Sequence, residues 1–228
     1  VSAVYTRGER LHKIRDRPGS VGVMVEKRRY RSDRYRLIPV SAVYTRGERL
    51  HKIRDRPYPN LLHRFFEQCK SNTFWTTDIT YIPTPQGMLY MCAVINLCGR
   101  MVLAYHIGSD MSASLVTQTI RDALMTGKVT DGLTLHSDPR FQYDSAATFE
   151  LSKEYHFQPS MSSPDCPYDN AVMENFFGVL KSECLYRARY TTRSQGEERI
   201  VQYVHFYNFE RVNLKNGLTP SEIRSKAA

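Results

Sequence analysis

No apolar run in the 228-residue chain approaches the roughly 20 residues that a membrane span requires. No signal peptide is visible at its start, which is Val1. Cysteine is scarce and odd in number: Cys69, Cys92, Cys98, Cys166 and Cys184 fit neither a disulfide framework nor a zinc-binding pattern. Reduced thiols in a reducing compartment are the simplest reading. Tryptophan occurs once, at Trp75. What remains is ordinary for a globular protein, 41% hydrophobic and 24% charged. The length suffices for one sizeable core and an appendage.

The charge is unevenly placed. Residues 1–72 carry 18 Lys and Arg against 7 Asp and Glu, a net +11, whereas residues 73–228 carry 14 against 16, a net −2. The chain therefore reads as a basic arm, residues 1–60, on a nearly neutral body, residues 61–228. Such an arm favours a polyanion, and nucleic acid is the usual one. Within it, residues 1–18 recur unchanged at 40–57. Repeat arrays diverge and usually come in threes or more, so an unchanged pair points to a recent duplication or an artefact and carries no functional weight. Between the copies lies EKRRYRSDRYR, whose Arg28, Arg29 and Arg31 are candidate phosphate contacts. The sequence leaves open whether this segment binds or is disordered.

The body opens with residue alternation. WTTDITYIP (75–83) reads as a strand, PTPQG as a turn, MLYMCAVINL (88–97) as a second strand and MVLAYHIG (101–108) as a third, giving an antiparallel meander. A helix is expected from Ser112 to Gly127, then a short strand LTLHSD (133–138) and a helix from Asp144 or Ser145 to Tyr155. After the extended piece FQPSM (157–161), Asp169 is expected to cap a helix running to about Leu185. Ser194 and Glu197 suggest a capping box for a helix near 195–210, and Thr219 and Glu222 a second for a terminal helix. This order predicts a ribonuclease-H-like α/β fold, a mixed five-stranded sheet flanked by helices.

Three acids stand out. Asp78 lies in mid-strand, where an ionised carboxylate is costly unless something pairs with it. Asp138 ends the strand LTLHSD, and Glu174 lies one turn into an otherwise apolar helix. Should the first and fourth strands lie side by side, Asp78 and Asp138 meet, and the helix can lay Glu174 across them. Converging carboxylates stay ionised together only if a cation neutralises them. All-oxygen ligands select Mg²⁺ or Mn²⁺, and two such ions ~4 Å apart suit an in-line phosphoryl displacement.

WTTDITYI, LHSDPRFQY, PYDNAVMENFFGVLKSE and the closing YNFERVNLKNGLTPSEIR strongly resemble the integrase-core transposases of bacterial insertion sequences, relatives of retroviral integrases. The 35 residues between Asp138 and Glu174 match the family's spacing, and the resemblance covers about residues 60–228. It implies a cytoplasmic, nucleoid-associated enzyme that binds two Mg²⁺ (or Mn²⁺) ions through Asp78, Asp138 and Glu174. Such an enzyme cuts insertion-sequence ends, joins the freed 3′-hydroxyl to target DNA, and works as a homo-oligomer holding two ends. The alternatives are a truncated, inactive DNA-binding remnant and a ribonuclease-H-type nuclease.

Asn170 and Lys181 share the Glu174 face of the helix. Asn170 is expected to orient a carboxylate or touch DNA, and Lys181 to hold a phosphate near the metals. His136 shares the Asp138 strand face, as a neighbour of the site or as a core residue. Trp75, Phe176 and Phe177 read as core, whereas Tyr203 and Tyr207 read as a packing seam or a base-stacking pair. Arg140 stands where the family usually has glycine; were positive φ needed there, the change would cost on the order of 1 kcal/mol. Asp165 likewise replaces a usual glycine and adds negative charge to a loop expected near DNA. The family's upstream helix-turn-helix is not recognisable in residues 1–60.

Overall fold

The computed structural model describes the backbone of residues 3–6, 9–17, 20–26 and 37–39. It also describes 58–227, apart from 68–69, 127–128, 130–131, 164–165 and 188–189. The chain divides into two compact units, Val1–Arg54 and Asp55–Ala228. The first contains β1 (Ala3–Thr6), β2 (Glu9–Arg17), β3 (Ser20–Glu26) and β4 (Leu37–Pro39), paired antiparallel in that order. The first copy of the duplicated segment supplies β1 and β2, while the second, at 40–57, lies outside the described residues, as do Arg28, Arg29 and Arg31.

The second unit is built on a five-stranded sheet in the order β7-β6-β5-β8-β9. Its strands are β5 (Phe74–Thr84), β6 (Gly87–Asn96), β7 (Val102–Gly108), β8 (Thr134–Ser137) and β9 (Gln158–Met161). The first three form the expected meander. β8 then joins β5 in parallel and β9 joins β8 in parallel. Parallel neighbours need a crossover, which α1 (Ala113–Thr126) and α2 (Ala146–Glu154) provide.

The run MCAVI in β6 is apolar throughout because both of its faces are buried. Leu89, Met91, Ala93 and Ile95 pack with Met173, Phe176, Leu180 and Ile200 on one side. Cys92 and Val94 pack on the other with Trp75, Ile79, Val116, Ile120 and Leu151. Trp75 is fully buried, as expected of a core anchor, and Phe176 and Phe177 are core residues. Among the described residues, Cys92, Cys166 and Cys184 are free thiols. No described helix is long and apolar enough to cross a membrane.

The C-terminal helices depart from expectation in three places. Asp169 does not cap a long helix. It lies in a short 3₁₀ turn, Pro167–Asn170, and α3 (Ala171–Val179) starts after Asn170. Asp169 is instead claimed by Arg64, Asn60 and the Ser163 N–H, at 2.7, 3.0 and 2.9 Å. After α3 the helix widens to π spacing over Leu180–Leu185. Five residues per hydrogen-bonded step bring Leu180 and Leu185 onto one buried face. Thr192, not Ser194, caps α4 (Arg193–Phe209), its hydroxyl accepting the Gln195 N–H at 3.2 Å. The Thr219/Glu222 capping box is present and starts α5 (Pro220–Lys226). Tyr203 and Tyr207 are buried and form a packing seam.

Candidate active site

β5 is eleven residues long and β8 only four, and their pairing runs from Phe74↔Thr134 to Thr77↔Ser137. The next residue on each chain is a carboxylate, Asp78 on β5 and Asp138 after β8. Residue alternation puts Thr76, Asp78 and Ile82 on the sheet face that carries α3 and α4, because Ile82 packs in that core and Thr76 donates to Asn170 Oδ1 at the start of α3. His136 pairs with Thr76 and shares its face, as does Asp138 two residues on, while Leu135, the neighbour of His136, packs on the opposite side. Glu174, in the first turn of α3, is exposed.

The electrostatics follow from this convergence. Asp78 is 7% exposed. Its Oδ1 accepts the Ile79 N–H at 2.7 Å and lies 3.8 Å from Arg140 Nε. Burial, and then the charge on Asp138, push its carboxyl up to about 7; Glu174 adds to the rise, while Arg140 and the Ile79 N–H oppose it. Asp138 is half-buried, and its Oδ1 accepts the Ser162 hydroxyl at 3.0 Å. Burial lowers the Lys181 ammonium, and the charge on Asp78 partly restores it. His136 is fully buried and faces Ser160 and Ser162; burial lowers its imidazole to about 4 and keeps it neutral.

Other expectations are redirected. Asn170 is 2% exposed. Its amide accepts from Thr76 and donates to the Thr77 carbonyl at 3.3 Å, so it clasps α3 to β5 and offers no surface to DNA. Arg140 is not among the described residues with positive φ, so the expected backbone strain at this position is absent. Its side chain instead neutralises part of the Asp78 charge and reaches Tyr81 Oη at 3.4 Å. This electrostatic role was missed in the sequence, where Arg140 drew attention only as a replaced glycine. The Ser162 contact was missed as well, since a serine just past a short extended piece carries no signal of its own. Asp165 lies outside the described residues.

A cation fits the chemistry of this donor set. The acids are all-oxygen donors, and burial and the neighbouring carboxylates push the innermost, Asp78, up to about 7. Among the described residues, no three His, Cys, Asp or Glu side chains are already gathered tightly enough to hold one metal ion. Glu174 is exposed on α3.

Comparison with known proteins places this arrangement. Models of the integrase core domain match residues 68–167 and 174–227. The HTLV-2 integrase catalytic core domain, solved in complex with magnesium in a trimeric form, superposes with a TM-score of 0.56 at 16% identity, covering 68% of this chain and 97% of that one. The fold is thus ribonuclease-H-like, an integrase core. Over 169 residues the chain is 34% identical to the InsK transposase of insertion sequence IS150 from Escherichia coli (strain K12), covering 74% of this chain and 60% of InsK. Over 170 residues it is 35% identical to a transposase-like protein of Haemophilus influenzae, covering 74% and 78%. The chain belongs to the integrase-core transposase family of insertion sequences, and spans about 60% of the length of InsK.

Proposed function

We propose that this chain is the catalytic core of a transposase that cleaves the ends of an insertion sequence and joins the freed 3′-hydroxyl to target DNA. The carrying observation is the meeting of Asp78 and Asp138 where β8 ends beside β5, with Asp78 buried and its proton affinity raised. In this reading Asp78, Asp138 and Glu174 hold two Mg²⁺ or Mn²⁺ ions. When bound, such ions supply the charge that activates an attacking oxygen and offsets a leaving one.

The protein's own contribution is placement and field. The sheet fixes the two aspartates, and α3 brings the third acid from the face above. Lys181, within the field of Asp78, attracts the scissile phosphate. Water or a DNA 3′-hydroxyl is the nucleophile, so no covalent protein–DNA intermediate forms. Arg28, Arg29 and Arg31 add non-specific attraction for the DNA backbone. The enzyme acts as a homo-oligomer at the nucleoid, in the bacterial cytoplasm, because two ends must be held together.

The test is Mg²⁺- or Mn²⁺-dependent nicking and joining of the element's own end DNA. Asp78→Asn, Asp138→Asn and Glu174→Gln are each expected to abolish it while salt-sensitive DNA binding persists. Full activity in all three variants would refute the assignment. Binding without cleavage by the unmutated chain would favour the inactive remnant.

A further inference from the structure

Asp138 is the end point of a chain of hydrogen bonds that runs through the sheet. The Leu61 N–H donates to Ser160 Oγ at 2.8 Å. Ser160 Oγ lies 2.8 Å from His136 Nδ1, His136 Nε2 lies 3.1 Å from Ser162 Oγ, and Ser162 Oγ lies 3.0 Å from Asp138 Oδ1. His136 and Ser160 face each other in the parallel β8–β9 register. All three side chains between Leu61 and Asp138 are at most 1% exposed, so water does not compete for these bonds.

The direction of every bond follows from one proton. A carboxylate only accepts, so Ser162 spends its single hydroxyl hydrogen on Asp138. Its oxygen is then an acceptor, and His136 Nε2 is the donor. A neutral imidazole has one N–H, so Nδ1 is the acceptor and takes the hydrogen of Ser160. The oxygen of Ser160 is left to accept the Leu61 N–H, which is what it does. Each bond of the chain is thus satisfied with one tautomer and one setting of each hydroxyl, and the Asp169 backbone adds a further hydrogen bond to His136.

We propose that His136, held as the Nε2–H tautomer, and Ser162 are positioning residues that fix the Asp138 carboxylate for cation binding. The inference rests on the proposed role of Asp138 as a metal ligand. Ser162 occupies one lone pair of Oδ1 and restrains rotation of the carboxylate, while His136 prevents the Ser162 hydroxyl from turning elsewhere. Partners of this kind, one bond removed from a metal, typically set affinity by 10- to 100-fold.

Two measurements on the full chain test this. In the unmutated protein, ¹⁵N correlation spectra of His136 are expected to show the proton on Nε2; a proton on Nδ1 overturns the relay. In calorimetric titration with Mn²⁺ alone, Ser162→Ala is expected to weaken binding by about 10-fold or more, and Ser162→Thr, which keeps the hydroxyl, to restore it. Circular dichroism of both variants is expected to match the unmutated chain. Asp138→Asn is the control that separates the two ideas. Where Asp138→Asn abolishes Mn²⁺ binding and Ser162→Ala leaves it unchanged, the relay is refuted and the metal reading stands. Where Asp138→Asn also leaves binding unchanged, the metal reading itself has failed.

Discussion

Asp78 should cost the metal-free protein stability as the pH rises to neutrality. Its carboxyl ordinarily titrates near 3.8 but titrates at about 7 in the folded chain. That is roughly a thousandfold in proton affinity, and each tenfold is worth ~1.4 kcal/mol. Ionising Asp78 therefore costs the fold on the order of 4 kcal/mol. Because the folded value lies above the unfolded one, this stability is fully present below about pH 4. It is lost progressively as the pH rises to about 7, and no more is lost above that. For a body of this size ~1 kcal/mol moves the melting temperature by about 2–4 °C, so the fall is on the order of 10 °C. Other groups titrate in the same window, so the informative quantity is the difference between Asp78→Asn and the unmutated chain in EDTA. Asn cannot ionise, so its melting temperature should gain on the unmutated chain by on the order of 10 °C between pH 4.5 and pH 8. Adding Mg²⁺ at pH 8 should narrow the gap, since binding to the unmutated site stabilises the ionised form. Parallel melting profiles across this range would refute the reading of Asp78 as an underneutralised buried acid.

Three further outcomes follow from the same geometry. Arg140 holds the Asp78 carboxyl below the value that burial and Asp138 alone would set, so Arg140→Ala should move the pH-dependent loss of stability to higher pH; an unmoved midpoint would count against the contact. Lys181→Ala should weaken DNA binding about equally across sequences and reduce the salt slope by about 1, as read by fluorescence anisotropy at several salt concentrations. Asn170→Ala should lower stability by roughly 1–3 kcal/mol, because the Thr76 hydroxyl and the Thr77 carbonyl lose a buried partner. Its salt slope on DNA should stay that of the unmutated chain; a fall of about 1 would restore Asn170 as a DNA contact.

Strands were readable where one residue in two had to be buried, and β6 was readable as a run because both faces are covered. Asp78 was readable for the opposite reason, an acid in a segment otherwise suited to a strand interior. Caps were read less well. Ser194 and Thr192 are chemically similar, and the choice between them depends on where the backbone turns extended, which it does at Thr192. Asp169 has the chemistry of a cap, but Arg64, more than one hundred residues away, binds it first. The π widening after Val179 was invisible because it shows only in the folded helix, where Leu180 and Leu185 are both buried. The Ser162 contact was equally invisible, since only the parallel register of β8 and β9 brings serines beside His136.

The location of the site follows from a mismatch of strand lengths. β5 keeps its antiparallel partner β6 along its whole length, from Trp75↔Asn96 to Thr84↔Gly87. On its other side β8 accompanies it only as far as Thr77. Past that point no described strand pairs with the edge of β5 facing β8, and Asp78 is the first residue beyond. Crevices of this kind, outside the carboxyl end of a parallel strand, are where open α/β sheets collect ligands. The chain leaves β8 there through Asp138 and Pro139, and Pro139 has no N–H with which to extend the ladder. The β5–β6 ladder holds Asp78 in place, β8 stops one residue short of it, and α3 carries Glu174 on the same side of the sheet. The β5–β6 ladder holds the Asp78 backbone independently of the loop after β8, whose Asp138 and Arg140 act on its charge instead.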